Sequence, residues 1–401
     1  MKRGFFILTG LAAAVSCGLT EVGVGDSTVD EGIWIRPDTG SSAAEKAPAC
    51  LMTAFDYPDG YDWRSADSES ARCNLVLLEG GSPLMRIPVG SGYEVSHDAD
   101  RHRIVDGHLY TDYTSGDEIV VRKDGALLFR YKADERIVGM TVENGNVYTL
   151  GIPASGTGFA YRRNGVIQLA KHSGYAFERL VKDVDDICFA YCSQIVTESE
   201  TRDEYYMVRD GVERQISMPD GCDRVWDIAP HEGSTCVLAS SVLKRTSYLI
   251  TGDAVRRIDM PYSSEMLSCR FLTGGKSICM EGLYGTLDGR QVSALWMDAD
   301  EYRRFDDGLS ISAARADETG IDCVLNPTSE AGGGMIFRSG KAYAMPSGYS
   351  CMGVNPMAVL DGALHVGLSS LKGGRPLVWK DGALDTLDIN GYICTAAVLN
   401  P

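Results

Sequence analysis

Residues 143–171, ENGNVYTLGIPASGTGFAYRRNGVIQLAK, contain the two turn signals on which the prediction of the fold depends. Asn144-Gly145 precedes an alternating run of apolar residues, and Asn164-Gly165 separates two further apolar runs. Asn-Gly between alternating runs is the strongest short-range signal of a β-hairpin. The stretch therefore predicts hairpins, and copies of it at a regular spacing would define a structural repeat.

The second turn signal recurs along most of the chain. Each copy reads as an apolar strand, a tight turn and another apolar strand, as in VVRKDGALLF and LVWKDGALDTL. Neighbouring copies are 40 to 47 residues apart. The copies are centred on Gly80, Gly125, Gly165, Gly211, Gly252, Ala299, Gly340 and Gly382.

The first turn signal recurs in the same register, and apolar or alternating runs such as HLYTDY and NVYTLG follow it. Each unit of about 43 residues therefore carries four strands, a to d, with tight turns between a and b and between c and d, the spacing of a β-propeller blade. No stretch shows sustained helical periodicity. The fold class predicted is all-β. The a–b signals are at Gly107, Gly145, Asp186, Gly233, Gly275, Gly320 and Gly362.

The number of turns predicts both the blade count and the way the ring closes. There are eight c–d signals and seven a–b signals, and the first unit, which starts at ACLMTAF (49–55), lacks a strand a. The chain ends with an unassigned strand, YICTAAVL (392–399). We expect that strand to complete the first blade, giving eight four-stranded blades. Seven is the alternative if the unit 265–306, whose c–d turn lacks Gly, is not a blade.

The N-terminal residues have the features of an export signal. Lys2-Arg3 precede an apolar segment too short to span a bilayer, and Ala14-Val15-Ser16-Cys17 resembles a bacterial lipobox. An ordinary secretory signal is the alternative. Residues 18–48 have the composition of a flexible tether. The expected organisation is a signal peptide over 1–17 with lipidation at Cys17, a tether over 18–48 and a propeller over 49–401.

The layout of residues 49–401 resembles that of bacterial envelope β-propeller lipoproteins of unassigned function. The resemblance is one of architecture and includes no sequence motif. It implies an exported protein that is lipid-anchored in the cell envelope, either in the periplasm or facing the surface. The net charge of −17 argues against nucleic acid as a partner, because the phosphate backbone would be repelled.

The twelve cysteines of this chain could form disulfides if the protein is exported. Cys188, Cys236 and Cys323 follow the a–b turn by about three residues, and Cys279 fits with a shift of one. Equivalent positions on different blades lie too far apart to bond, so this column predicts a repeated buried slot. Two disulfides between other positions are geometrically conceivable: Cys269 with Cys279, and Cys50 with Cys394.

No sequence motif for a reaction is present. The chain has no G-x-S-x-G elbow, no H-E-x-x-H and no phosphate-binding loop. HDADRH (97–102) is the densest group of possible metal ligands, and we interpret it as a solvated polar loop. We therefore expect no metal and no cofactor, and a catalytic residue cannot be assigned from the sequence.

A recurring tyrosine marks the connection from strand d to the next strand a. These connections and the longer b–c loops should lie on one face of the propeller, opposite the tight turns. Loops on a rigid scaffold often bind ligands, and tyrosine is suited to sugars, peptides and protein surfaces. The alternative is that these rings pack against the neighbouring blade. The candidate ligand-binding residues are Tyr93, Tyr175, Tyr262, Tyr349 and Tyr392.

Two functions are compatible with these features. The first is a membrane-tethered envelope or cell-surface protein that uses its loop face to bind a protein, a peptide or a glycan. The second is a secreted hydrolase or lyase acting on glycans, with carboxylates at the mouth of the central channel. Clustered acids at that mouth would favour the enzyme, and a shallow aromatic face would favour binding.

Overall fold

The computed structural model describes residues 32–36, 47–65, 71–90, 92–196, 201–241, 243–261, 264–272, 276–305, 308–328 and 333–399. The first twelve strands are β1 (Trp34–Ile35), β2 (Ala49–Asp56), β3 (Asn74–Glu79), β4 (Ser82–Pro88), β5 (His102–Val105), β6 (His108–Ser115), β7 (Glu118–Lys123), β8 (Ala126–Lys132), β9 (Glu135–Glu143), β10 (Asn146–Pro153), β11 (Phe159–Arg163) and β12 (Val166–Lys171). A single 3-10 turn, Ala99–Arg101, precedes β5.

The next thirteen strands are β13 (Tyr175–Ala176), β14 (Val181–Asp183), β15 (Asp186–Val196), β16 (Thr201–Arg209), β17 (Val212–Ile216), β18 (Arg224–His231), β19 (Ser234–Ser241), β20 (Thr246–Thr251), β21 (Ala254–Arg257), β22 (Glu265–Leu272), β23 (Cys279–Gly285), β24 (Gln291–Met297) and β25 (Asp300–Arg304). The last ten are β26 (Leu309–Asp317), β27 (Gly320–Pro327), β28 (Met335–Arg338), β29 (Lys341–Ala344), β30 (Tyr349–Ser350), β31 (Met357–Leu360), β32 (Ala363–Ser370), β33 (Leu377–Lys380), β34 (Ala383–Thr386) and β35 (Gly391–Leu399).

The described strands form eight antiparallel sheets, which are the eight blades of a β-propeller. Blade 1 has the order β35-β2-β3-β4, and blades 2 and 3 are β5 to β8 and β9 to β12. Blades 5, 6 and 7 follow with β18 to β21, β22 to β25 and β26 to β29. In blades 4 and 8 strand a is split in two, since β13 and β14 both pair with β15, and β30 and β31 both pair with β32. The prediction of eight four-stranded blades is confirmed, and the unit 265–306 is a complete blade.

All eight predicted c–d turns are two-residue turns at the predicted positions. The first turn residue takes a positive φ in every one of them, for example 49° at Asn164 and 51° at Asp298. In blade 6 the second turn residue is Ala299, with φ 77°, where the other blades with a polar first residue have Gly. That conformation costs roughly 1–2 kcal/mol for a residue with a Cβ. A neighbouring bond offsets the cost, because the Ala299 carbonyl accepts a hydrogen bond from Asp259 N at 2.8 Å.

An Asp or Asn at the first turn position ties the c–d hairpin to strand b. Asp124 Oδ1 accepts a hydrogen bond from Leu109 N at 2.9 Å, and Asp124 N donates to the Leu109 carbonyl at 2.8 Å. The same side-chain bond occurs in blades 3, 4, 6 and 8, at 2.8 to 3.1 Å. The recurring polar residue before Gly therefore fixes the position of the outer hairpin on the sheet, in addition to favouring the turn.

Two of the predicted a–b turn positions need correction. Asp186 and Gly320 begin strand b, so the turn residues lie one or two positions earlier, and Val184 takes the positive φ of 57° in blade 4. Gly275 lies outside the described residues. The prediction failed at these two turns because neither pair of turn residues contains Gly or Asn, so the sequence offered no local signal.

Hydrophobic clusters fill the spaces between neighbouring blades. Cys188 of blade 4, for example, packs with Ile228 and Val237 of blade 5. The predicted buried slot is confirmed for Cys188, Cys236 and Cys279, whose exposed fractions are 0 to 1%. Each of them pairs with the last residue of strand c, as Cys188 does with Arg209.

Cys323 is also buried, but on the opposite side of its blade. It pairs with Phe337, one position before the end of strand c, and it packs in the same cluster as Cys279 of the preceding blade. A shift of one residue along a strand moves a side chain to the other face of the sheet. Asp322 therefore takes the slot position in blade 7, where it bonds to Arg338 at 2.7 Å.

The two conceivable disulfides do not form, because the eleven cysteines in the described ranges are all free. Cys279 is opposite Leu272 in the register, and Cys269 is opposite Gly282. Cys50 is opposite Val398, four residues from Cys394. The strand registers thus hold the two cysteines of each conceivable pair apart.

The ring closes as predicted. Strand β35 pairs with β2 from Ala49↔Leu399 to Asp56↔Gly391, with one bulge beside Thr53. Ile393 and Cys394 of this strand are fully buried. Gly391 must be glycine, because a Cβ there would collide with the carbonyl oxygen of Phe55.

Residues 32–36 of the segment predicted as a tether pack on blade 1. Trp34 and Ile35 pair with Arg86 and Met85 on the outer edge of blade 1. The Arg36 guanidinium donates to the Pro83 carbonyl at 2.8 Å and bonds to Glu79 at 2.9 Å. This segment covers the outer edge of blade 1, where backbone groups would otherwise be unpaired. No helix in the described parts of the chain has the length and hydrophobicity to cross a membrane.

Removing residues 390–401 should destabilise the whole domain, because it takes away the innermost strand of blade 1 and opens the ring. We expect the melting temperature to fall by more than 10 °C, since burial of side chains such as Ile393 contributes about 1.5–3 kcal/mol each. The control removes only residues 400 and 401. Equal melting temperatures for the two truncations, measured by circular dichroism, would contradict the closure.

Candidate functional site

A groove lies where the ring closes, on the face that carries the b–c loops and the d–a connections (the loop face). Its volume is about 690 Å³. One wall is the b–c loop of blade 1, which starts at Asp56 and returns at Asn74. The other walls come from the connection after β4 and from the connection between β34 and β35. We call it the closure groove.

Its position follows from the alternation of turns. In an antiparallel four-stranded blade, a–b and c–d turns share one end, and the longer connections share the other. Blade 1 has a long b–c loop, and its strand a arrives from the far end of the chain. Two long connections therefore meet at one seam, and the space between them forms the groove.

Aromatic side chains pack beneath the closure groove, and Tyr57 is the member of this cluster that lines the groove. The rings of Tyr57 and Tyr61 stack with their centroids 5.5 Å apart. Tyr392 lies between Phe55 and Trp63, at 5.2 Å from each ring. Stacked and tilted rings of this kind add about 0.5–1.5 kcal/mol per pair beyond their buried area. This packing holds the base of the groove in place, and Tyr392 belongs to the packing beneath it.

Asn390 holds the b–c loop of blade 1 against the last connection. Its side-chain amide donates to the carbonyls of Pro58 and Tyr61 at 2.7 and 3.1 Å. Its backbone carbonyl accepts from Tyr57 N at 2.7 Å, and its N donates to Asp56 Oδ1 at 3.0 Å. A single buried side chain thus fixes a loop more than 300 residues away in the sequence.

Charges of both signs line the mouth. Asp56 and Arg86 form a partly buried ion pair, with side-chain exposures of 15 and 31%. Arg375 and Asp388 form an exposed pair at 2.9 Å, which contributes little to stability. Arg72 is exposed and makes no ion pair with any described residue. A ligand at this mouth would therefore meet an accessible guanidinium, the exposed carboxylate of Asp59 and two carboxylates that already have partners.

A cysteine and a histidine lie together at the base. Cys73 Sγ is 3.7 Å from His97 Nδ1. Burial, with a smaller contribution from the carboxylate of Asp56, raises the pKa of the Cys73 thiol to about 12. The thiol therefore holds its proton at neutral pH, whereas a cysteine nucleophile reacts as the thiolate. This pair packs under the groove in a form that does not supply an activated nucleophile.

The predicted tyrosines have different surroundings. Tyr93 is 39% exposed and lines the closure groove. Tyr175 is 42% exposed, begins β13 in blade 4, and lies 5.7 Å from the Phe177 ring. Tyr349 packs against the core between blades 7 and 8. Tyr262 lies outside the described residues. The structure therefore brings Tyr93 and Tyr392 to one site and places Tyr175 and Tyr349 on other blades.

Sequence reasoning did not find Asn390, Arg72 or Arg86 as groove residues. Their neighbourhood depends on contacts between the first and last blades. The predicted ring closure could have indicated these residues, because it places the residues before YICTAAVL beside the b–c loop that follows ACLMTAF. Together with the predicted loop face, it indicates a site where the first and last blades meet.

A second charged cluster lies along the central channel. Asp227 is buried and bonds to Arg179 at 3.0 Å and to Phe271 N at 2.8 Å. Glu281 is buried and paired with Arg270. Burial raises the pKa of both carboxyls despite the neighbouring arginines. Within the described parts of the chain, no group of three or more His, Cys, Asp or Glu has a metal-binding arrangement.

No family model matches the chain, and no curated protein matches it. Several solved β-propeller structures are similar in fold. Apo AztD from Citrobacter koseri is 12% identical with a TM-score of 0.48, and the match covers 88% of this chain and 98% of AztD. The propeller domain of the Trilobed protease from Pyrococcus furiosus is 12% identical with a TM-score of 0.46, covering 73 and 93%. A prolyl endopeptidase structure is 13% identical with a TM-score of 0.49, covering 86 and 61%.

Acid should weaken the core beneath the groove through His102. This ring is buried, its Nε2 donates to the Ser96 carbonyl at 2.9 Å, and burial lowers its pKa from 6.5 to about 3. Between these two pH values the unfolded chain takes up a proton that the folded chain refuses. The free energy of unfolding should therefore fall by about 1.4 kcal/mol per pH unit from this group, and the contribution is constant above pH 6.5.

The measurement is urea unfolding at pH 7.5, 6, 5 and 4 for the wild type and for His102→Gln, which cannot titrate. We expect the variant to lose less stability than the wild type on going from pH 6 to pH 4. Arg101, Arg103 and His97 lie near this ring, and they are present in both proteins. The control, His172→Gln, removes an exposed histidine. Parallel pH profiles for wild type and His102→Gln would show that the ring does not act this way.

Proposed function

We propose that this protein is a membrane-tethered envelope or cell-surface binding protein that holds a segment of a protein, a peptide or a glycan in the closure groove. The observation that carries the proposal is the groove itself, a preformed cleft with a charged mouth and two tyrosines, Tyr57 and Tyr93, in its lining. Preformed clefts of about 300–1,000 Å³ are typical of ligand sites.

The residues at the mouth suit a polar polymer better than an apolar small molecule. Tyr93 and Arg72 are exposed, and these two residue types are enriched among residues that dominate binding energy. A tyrosine ring packs against the flat face of a sugar or a peptide side chain, and a guanidinium donates hydrogen bonds to hydroxyls or carboxylates. A groove of this size would hold a few units of such a polymer.

The support around the groove is rigid, which favours binding. Asn390 makes three hydrogen bonds to the b–c loop of blade 1 and a fourth from its backbone N to Asp56. A cleft whose walls are held in place before the ligand arrives loses less conformational entropy on binding. The groove lies on the loop face, where the sequence features also predict a binding site.

The carboxylates of the groove favour binding over acid–base catalysis on glycans. Glycoside hydrolysis needs two carboxyl groups on opposite sides of the scissile bond. Asp56 is engaged by Arg86 and by Asn390 N, and Asp388 is engaged by Arg375. These partners occupy two of the three carboxylates in the described lining, so Asp59 has no second unengaged carboxylate with which to form a catalytic pair.

The N-terminal lipid proposed at Cys17 would lie near the same blade. Residues 32–36 dock on the outer edge of blade 1, and Gly32 lies beside the Tyr93 ring. Gly32 is fifteen positions after Cys17, so the lipid can be at most about 50 Å from the docked strand. The groove would then face a partner close to the membrane surface.

Replacing Arg72 by Gln and Tyr93 by Ala in one chain should weaken binding at least tenfold on glycan and short-peptide arrays, without changing the melting temperature. Both side chains are exposed at the mouth, and a hot-spot residue contributes about 2 kcal/mol or more. Tyr175→Ala is the matched control, because Tyr175 is 42% exposed, close to the 39% of Tyr93, but lies on blade 4. Equal binding by the double variant and the wild type would disprove the site. An array on which the wild type binds nothing would disprove the proposed ligand classes.

Replacing Cys17 by Ala in the full-length precursor should move the protein from the membrane fraction to the soluble fraction of the envelope. The physical reason is that one acyl chain gains about 0.8 kcal/mol for each buried methylene. Fractionation followed by immunoblotting measures the distribution, and Cys50→Ala is the cysteine control. A Cys17→Ala protein that stays with the membrane would contradict the lipid anchor.

A further inference from the structure

A second cavity, of about 460 Å³, lies among the innermost strands of blades 7, 8 and 1. Arg315 of β26 lines one side, Met357 to Asp361 line another, and Ala397 and Val398 of β35 line the third. The presence of Asp361, the first residue of an a–b turn, places the cavity toward the tight-turn end of the channel. It shares no lining residue with the closure groove.

The blade register predicts a partner for Arg315 that it does not bind. In blade 6, Arg270 of strand a is opposite Glu281 of strand b, and the two form an ion pair. In blade 7, Arg315 of strand a is opposite Asp322 of strand b. Directly opposite residues of opposite charge can pair across two strands, but the structure contains no Arg315–Asp322 ion pair.

Strand c takes the carboxylate of Asp322 instead. Asp322 Oδ2 accepts from Arg338 at 2.7 Å, and Oδ1 accepts from Ser339 N at 3.0 Å. An aspartate is also one methylene shorter than the glutamate of blade 6, so it reaches less far toward strand a. Asp317, two residues after Arg315, bonds to Thr319 N at 2.7 Å.

Arg315 is consequently a half-buried guanidinium with no hydrogen bond or ion pair to any described residue. A guanidinium has five donors in a fixed plane, and leaving them unpaired away from water is costly. Burial lowers the pKa of Arg315, although Asp317 and Asp322 oppose the shift. The nearby carboxylates thus do not fully offset the burial of this charge.

We propose that the cavity is a binding site for a small carboxylate, whose two oxygens accept a forked pair of hydrogen bonds from Arg315. Planar carboxylates match the guanidinium fork in this way. Asp361 lines the same cavity and would repel a dianion such as phosphate. A monoanion that also carries a hydroxyl can donate to Asp361, so glycolate is the simplest probe. The site is independent of the closure groove and of its ligand.

The first test uses the wild-type chain and phenylglyoxal, which modifies accessible arginines, with peptide mass spectrometry to follow each residue. We expect glycolate to slow the modification of Arg315 and to leave that of Arg270 unchanged. Phosphate at equal concentration should protect Arg315 less. An Arg315 rate that glycolate does not change would overturn the proposal, and protection by phosphate alone would overturn the assignment to carboxylates.

The second test measures glycolate binding by calorimetry for Arg315→Gln and for the matched control Arg270→Gln. We expect Arg315→Gln to weaken binding about tenfold or more, because it removes a charge-assisted hydrogen bond. The control should bind within about twofold of the wild type. Equal weakening by both substitutions would show that the effect is general channel electrostatics and would overturn the site.

Discussion

The pairing of β35 with β2 is the interaction on which the rest of the structure depends. Residues 391–399 supply the innermost strand of the blade that begins at Ala49, so one sheet contains both ends of the propeller. Each blade buries its faces only against its two neighbours. An open ring would expose one face of blade 1 and one face of blade 8, and the clusters that contain Leu51, Phe55 and Ile393 would lose their cover.

The closure also creates the candidate site. Asn390 precedes the closing strand β35, and it bonds to Pro58 and Tyr61, which follow β2, the strand that pairs with β35. The groove is therefore made of the two connections that flank the seam, and the aromatic cluster beneath it belongs to the core of blade 1. Stability and recognition share the same residues here, because the loop that would contact a ligand is fixed by the strand that completes the fold.

Both proposed sites occur where the molecule departs from its repeat. Most blades tie the c–d turn to strand b with an Asp or Asn side chain. Charged side chains on strands a and b form ion pairs within their blade or with the neighbouring blade. Blade 1 departs because its strand a comes from the far terminus. Blade 7 departs because Asp322 turns to Arg338, which leaves Arg315 facing a cavity. A regular repeat satisfies its own polar groups, so an irregular position is the one available to a ligand.

The sequence by itself determined the all-β class, the eight blades, the positions of the c–d turns and the closing strand. The turns are local features, because a two-residue turn with a positive φ needs residues such as Asn-Gly or Asp-Gly whatever surrounds it. The number of turns then determines that the first and last strands of the propeller pair with each other. Only the tertiary structure decided which side chains meet. It packed Tyr392 beneath the groove and left Tyr93 in the lining. It moved Cys323 to the opposite face through one residue of register, and it kept Cys50 and Cys394 apart. The physical reason is that successive side chains of a strand point to opposite faces of the sheet. A shift of one residue in the pairing hardly changes the spacing of the turns, but it moves each side chain to the other face.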